Sequence, residues 1–262
     1  MKKSILIVII MFLISLTPWS QGTLGAQEAQ TAKEIVDKSI AALGGEEAVK
    51  KQLDFSAEGQ FRISMRMMEL SGEAKWIFQA PKSWNKFKVS FAGTEVTQTQ
   101  AYDGKSAWME RMGTLADQPT LNSESDLAHN IGLLMEKNAT FSLAKETEIE
   151  GKKAVGVEVD FKGKKTTFFI DRENFLPVEI VFEDYYFGES ATRELLEKRI
   201  RCLEYKNIAG VLFPTKTAFY LKGKKLLELD FDKVMFNQKF SADIFARPDQ
   251  ELDLRYMEEM VN

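Results

Sequence analysis

The chain is 262 residues long, with 35 basic against 39 acidic side chains and a formal net charge of −4. A mildly acidic chain of mixed charge has no electrostatic footprint for nucleic acid or for an anionic membrane surface. Its single cysteine, Cys202, excludes an internal disulfide, so the fold must be held by burial in one substantial core.

Lys2 and Lys3 precede an apolar run over residues 5–14, and small residues then lead to Gly25 and Ala26. A charged start, a short apolar stretch and a small-residue exit describe a secretory signal peptide over residues 1–26, cleaved after Gly25 or after Ala26. The run is too short for a membrane span, which needs about twenty residues; an uncleaved anchor is the alternative. No cysteine follows the run to take a lipid, so the exported chain is expected to be soluble, with one domain over 27–248 and a tail over 249–262.

The next element is a helix. Thr31 and Glu34 stand at capping-box spacing, with Thr31 the candidate N-cap, and Ala32, Val36, Ile40 and Leu43 form an apolar stripe. Gly44 and Gly45 end it, and a short turn over 46–51 leads into the stretch 53–67. There Leu53, Phe55, Ala57, Gly59, Phe61, Ile63, Met65 and Met67 share one parity, with polar residues between them. Period-two alternation predicts a strand with a dry and a wet face, and fifteen residues at ~3.3 Å each would span roughly 50 Å. Trp76 and Phe78 alternate in the next strand; Phe87, Val89 and Phe91 alternate in the one after. A polar strand over 95–102 reaches the turn signal Asp103-Gly104, and 105–112 follows it.

Residues 123–137 read as a short helix capped by Ser123, with Leu127, Ile131, Leu134 and Met135 on one face. Val155, Val157, Val159 and Phe161 then alternate, 165–171 returns, and Val178, Ile180 and Phe182 are expected on one face. Residues 183–194 read as a loop. Three more strands bring the total to about eleven, in a meander that predicts a single antiparallel sheet. A sheet of that width, dry on one face, must curl or find a second layer. Two short helices cannot cover it. The fold class expected is therefore mainly β with a few α-helices: a strongly curved half-barrel, with the helices lidding its concave face over an apolar cavity.

In the order of its elements the chain resembles the periplasmic lipoprotein-carrier superfamily (LolA, LolB and relatives). The resemblance rests on an amphipathic first helix ending Ala42-Leu43-Gly44-Gly45, the very long alternating strand and the Tyr102-Asp103-Gly104-Lys105 turn. The helical insertion around 127–135 and the run FSADIF from Phe240 to Phe245 extend it over most of 30–248. It implies a periplasmic half-barrel whose cavity takes acyl chains, with a task in outer membrane lipoprotein sorting. The chain is longer than the classical carrier, and Arg62 and Arg66 fall on the wet parity, so neither is assigned the lid-holding arginine of that family. The missing lipidation cysteine speaks against a membrane-anchored acceptor.

Catalytic chemistry is poorly represented. The single histidine, His129, is expected on the exposed side of its helix with only Asp126 nearby, and Cys202 on the dry side of its strand. Motifs for zinc, phosphate loops and serine nucleophiles are missing from the sequence, so no catalytic residue, metal or cofactor is expected. Methionine and aromatic residues give an adaptable apolar lining. The candidate lining is Phe55, Phe61, Ile63, Met65 and Met67 from the long strand, Trp76, Phe78, Phe87, Val89 and Phe91 from the next two, and Trp108. The candidate lid is Leu127, Ile131, Leu134 and Met135, moving with the 183–194 loop. The function expected is a carrier that binds a lipidated protein or another lipid and touches membrane only transiently. The alternative is a sensing module of the same fold, which docks an envelope protein through Leu252, Leu254, Tyr256 and Met260 of the tail.

Overall fold

A computed structural model describes residues 21–64, 69–91, 93–118, 121–122, 126–187 and 193–248; the side chains of 21–27, 91, 186–187 and 193 lie outside that description. Two helices, α1 (Gln21–Ala42) and α2 (Glu46–Lys51), open it. A first meander follows: β1 (Asp54–Ser64), β2 (Glu69–Gln79), β3 (Lys82–Phe91), β4 (Thr94–Tyr102), β5 (Ala107–Arg111) and β6 (Thr114–Asp117). Helix α3 (Leu127–Leu133) leads to a second: β7 (Thr140–Ile149), β8 (Lys152–Phe161), β9 (Lys164–Asp171), β10 (Pro177–Phe187), β11 (Arg193–Ile208), β12 (Val211–Leu221) and β13 (Lys224–Phe236). The described strands form one antiparallel sheet of thirteen, in the order β6-β5-β4-β3-β2-β1-β13-β12-β11-β10-β9-β8-β7. Pairing of β1 with β13 joins the two meanders, and β6 and β7 are the free edges of an unclosed half-barrel.

Sheet curvature has a local cause in β1. The register against β13 shifts between Glu58 and Gly59, a bulge that bends the ladder. A Cβ on Gly59 would lie 2.1 Å from the Asp230 carbonyl oxygen, and one on Gly72 of β2 would lie 2.0 Å from that of Lys88. Only glycine lets the backbones approach this closely.

Helix α1 begins ten residues before the expected cap, so Thr31 lies inside it instead of capping it. Its predicted stripe is correct: Ala32, Val36, Ile40 and Leu43 are buried, packed with Val157, Val159, Phe168, Ile170, Ile180 and Ile200 of the second meander. Gly44 and Gly45 end the helix at φ 109° and 88°, with the Gly45 N–H donating to the Ile40 carbonyl at 2.9 Å. The second cluster joins Ala48 of α2 and Ala128 of α3 to Phe55, Phe61 and Phe78 of β1 and β2 and to Phe213, Leu229 and Phe231 of β12 and β13. The helices thus sit on one face of the sheet, the inner one.

Two expectations change, and a third is only partly described. Residues 183–194 are not a loop for most of their length: β10 and β11 stay paired from Glu179↔Arg201 to Phe187↔Arg193, because Tyr185, Tyr186 and Phe187 favour a strand over the turn suggested by the acids and Gly188. Val178 does not share a face with Ile180 and Phe182. A bulge between Pro177 and Glu179 turns it to the outer face, where it packs with Ile149, Ala154 and Phe169. The expected strand over 53–67 is described to Ser64, and Met65 and Met67 lie outside the described residues.

Candidate ligand site on the inner face

Alternation along β1 and the pairing of its neighbours assemble the site. Phe55 stands opposite Phe78, Ala57 opposite Trp76, and Ala74 opposite Phe87, so these side chains share the inner face. Phe55 and Phe213 have ring centroids 5.0 Å apart. Phe87 meets Phe61 edge-on at 5.0 Å and Trp76 at 6.2 Å, geometries aromatic pairs prefer. Burial divides the set. Phe55, Phe61 and Phe78 are buried, whereas Ile63, Trp76, Phe87 and Val89 pack against them only partly covered, together with Phe219 and Leu227. Gly72 stands opposite Phe61, and the ring lies close against it, 3.1 Å from where a Cβ would be. Phe91 ends β3, and its side chain lies outside the description.

Trp108 is not part of this surface. It pairs with Ala101, Ala101 with Trp84, and Trp84 with Ile77, a row on the outer face. The C-terminal segment crosses that row through a 3-10 turn (Ala242–Ile244), buries Phe245, and accepts the Trp108 Nε1–H on the Phe245 carbonyl at 3.1 Å. An outer-face covering of this kind leaves no period in β5 itself, so the ring's side was not readable from its strand.

Helix α3 begins beside the Phe55, Trp76 and Phe213 end of this face. Ile131 and Leu134 are buried in the first cluster with Leu127 and Met135 partly buried beside them, as the predicted face requires. Leu133 and Asn130 are buried too, so the helix is enclosed on more than that face. Ser123 lies outside the described residues, and the N-cap is Asp126: its carboxylate accepts the Ala128 N–H at 3.1 Å and, through the other oxygen, the Trp76 indole N–H at 3.0 Å. The Asn130 side chain donates back to the Asp126 carbonyl at 2.8 Å. Asp126 is 6% exposed, and burial pushes its carboxyl up to about 6, against the pull of the two hydrogen bonds. Sequence reasoning placed Asp126 only beside His129. An Asp directly before the first helical apolar residue was a cap signal, masked by Ser123 three positions earlier.

Beneath α3, a cavity of about 20 Å³ is walled by Phe55, Trp76, Asp126, Leu127, Phe213 and Leu229. That is room for about one water, so with α3 in place the floor of the site is packed shut. A wider cavity of about 820 Å³ opens on the other side of α3, bounded by His129, Asn130 and Leu133 and by the ends of β8 to β11. His129, expected to be exposed, is half-buried there. On its wall Asp184, 3% exposed, pairs with Lys198 at 2.6 Å. Cys202 is buried as expected, and burial pushes its thiol up to about 12. Among the described residues no group of three or more His, Cys, Asp or Glu side chains is placed to hold a metal ion, and no helix is long and apolar enough to cross a membrane.

No family model and no curated protein matches the sequence. Solved structures do. A DUF1329 family protein from Desulfovibrio piger is 11% identical, with a TM-score of 0.51 over 84% of this chain and 97% of that one. A putative outer membrane lipoprotein-sorting protein domain from Vibrio parahaemolyticus is 14% identical, with a TM-score of 0.48 over 82% and 97%. The Pseudomonas aeruginosa MucA/MucB complex is 12% identical, with a TM-score of 0.22 over 83% of this chain and 61% of that one. Only the first exceeds a TM-score of 0.5, and at that identity it shows the fold alone.

Proposed function

We propose that this protein is a non-enzymatic carrier of acyl chains in the cell envelope, taking a lipidated protein or a free lipid onto its inner face under α3. The observation that carries the reading is the partly covered apolar surface of Ile63, Trp76, Phe87, Val89, Phe219 and Leu227, which meets the narrow cavity beneath the helix at Trp76 and Phe219. A core needing nothing further would bury these groups as fully as Phe55 and Phe78. An acyl chain laid on them gains ~0.8 kcal/mol per methylene buried, so ten methylenes give about 8 kcal/mol before ordering costs, without a polar contact. The resemblance to lipoprotein carriers in the order of elements points the same way, and residues 1–26, read as a signal peptide, would deliver such a carrier to the periplasm.

The test is photo-crosslinking with a diazirine-bearing fatty acid. Label on Ile63, Trp76, Phe87 or Val89, lost in Phe87→Glu, supports the reading. Label confined to other surfaces, or binding unchanged in Phe87→Glu and Ile63→Glu, refutes it.

A further inference from the structure

Strands β10 and β11 outrun their neighbours. Pairing of β9 with β10 runs to Phe182↔Thr166 and that of β12 with β11 starts at Lys198↔Leu221, whereas β10 and β11 stay paired to Phe187↔Arg193. Residues 183–187 and 193–197 thus form a two-stranded ribbon reaching roughly 16 Å past the last pair that either strand makes with the rest of the sheet. On its outer face Tyr185 and Leu195 stand opposite each other, 40% and 52% exposed. A ribbon of two strands is marginal in water, and an exposed apolar pair adds nothing to it unless something covers the pair. The hairpin turns on either side have the same sequence, Lys-Gly-Lys-Lys: 162–165 lies at the β8–β9 turn and 222–225 at the β12–β13 turn. All six lysines are exposed. The first turn and the ribbon together bound the cavity of about 820 Å³, and the second turn is tied to the ribbon at Lys222, whose N–H donates to the Glu197 carbonyl at 3.4 Å and whose ammonium meets Glu194 at 3.2 Å. We propose that this rim is a membrane-docking face: Tyr185 and Leu195 enter the headgroup region of an anionic bilayer, and lysines of the two turns meet its phosphates.

The net charge of −4 hides this local arrangement. Three of the six lysines are engaged by carboxylates: Lys165 by Glu158 at 2.8 Å, Lys222 by Glu194, and Lys225 by Glu228 at 3.0 Å. Among the described residues Lys162 and Lys224 pair with no carboxylate, and Lys162 lies over the Phe161 ring at 4.8 Å. Glu183 and Glu197 of the ribbon oppose the attraction, the second of them bonded to Arg199. The balance makes the contact weak and reversible, set by a few cations within a Debye length of the surface and by one apolar pair. Both residue types suit a bilayer. Tyrosine settles at headgroup level with its ring in the apolar layer, and lysine is a flexible point charge that follows mobile phosphates without needing one fixed geometry. Docking by this rim also brings the partly covered end of the inner face toward the lipid, since Ile63 pairs with Leu227, two residues beyond the second turn. The docking face itself does not depend on the acyl site.

Co-sedimentation with vesicles tests it, using phosphatidylcholine alone and a phosphatidylcholine–phosphatidylglycerol mixture. Any contribution of the N-terminal apolar run is common to all variants and cancels between them. Binding should be confined to the anionic vesicles and should fall between about 0.1 M and about 1 M salt, as the Debye length shrinks from ~10 Å to ~3 Å. A lysine near such a surface contributes about fivefold, so Lys162→Gln/Lys224→Gln should bind about 25-fold more weakly. Leu195→Asn should lose roughly fivefold, and Leu195→Trp should bind more tightly, a gain that misfolding cannot imitate. Equal binding to neutral vesicles overturns the docking face, as does unchanged binding in the double lysine variant or in Leu195→Asn. Failure to bind the anionic vesicles overturns it too and leaves the ribbon to a protein partner. Vesicle binding by protein that takes no fatty-acid label keeps the docking face and removes the carrier; labelling without vesicle binding does the reverse.

Discussion

Replacing Phe55 by alanine probes the floor of the site. The ring is 4% exposed, lies 5.0 Å from Phe213 and 6.1 Å from Phe78, and walls the 20 Å³ cavity under α3. Its strand is hydrogen-bonded on both sides, to β2 and to β13, so the walls cannot collapse into the space it leaves. A substitution of this kind costs about 3–5 kcal/mol when the site stays open. At roughly 2–4 °C per kcal/mol for a domain of this size, a loss of 4 kcal/mol lowers the melting temperature by about 8–16 °C. Circular dichroism melts measure it. The enlarged cavity should also take up a small apolar ligand such as benzene, raising the melting temperature of the variant and not of the wild type. A loss below about 3 °C, or no differential response to benzene, would refute the claim that this aromatic cluster is a packed floor.

Gly59→Ala should cost more than ~2 kcal/mol, since its Cβ would meet the Asp230 carbonyl at 2.1 Å, while Gly45→Ala, with open space around it, should cost only ~1–2 kcal/mol for its positive φ; urea midpoints separate the two. Cys202 in the native protein should react with a thiol reagent at pH 8 about 1,000-fold more slowly than in urea, because burial lifts its thiol from 9.0 to about 12; comparable rates would place it at the surface. Asp126 should also leave a mark on overall stability. The folded chain binds its extra proton between pH 3.8 and about 6, so this stabilisation is full below 3.8, is lost as pH rises through about 6, and amounts to about 3 kcal/mol in all. Glu58, Asp103 and Glu228, whose carboxyls are held below their ordinary values by Lys75, by the Ser106 N–H and by Lys225 respectively, act in the opposite direction in acid. The quantity to measure is therefore wild type minus Asp126→Asn, and a difference that stays constant from pH 4.5 to 7.5 would contradict the assignment.

Where one face of an element is buried, the sequence shows it. The parity of β1, the stripe on α1 and the alternation of Val155, Val157 and Val159 were all legible, because each residue type answers to a single environment. The two strands that went unread are the sheet edges. β7 has Thr140, Ser142, Lys145, Glu146 and Glu148 exposed, and β6 spans four residues, so neither carries a period. Val178 failed for a different reason: a bulge reverses parity, and nothing in the residues 177–182 marks it. Trp108 was read onto the inner face because the segment that buries it arrives from more than a hundred residues away. Of the candidate site, the aromatic residues of β1 to β3 were visible as a pattern. The polar tie between Asp126 and Trp76 joins positions fifty apart and has no local signature.

The central claim is that the inner face carries an acyl chain. The most direct measurement is mass spectrometry of organic extracts from the purified protein, against the same protein after delipidation and reloading with a defined fatty acid. A lipid or lipopeptide near one equivalent, displaced by the added fatty acid, is the predicted result. A clean extract from well-folded protein that also takes up no added fatty acid would mean that Ile63, Trp76, Phe87 and Val89 cover nothing but their own core, and would contradict the account.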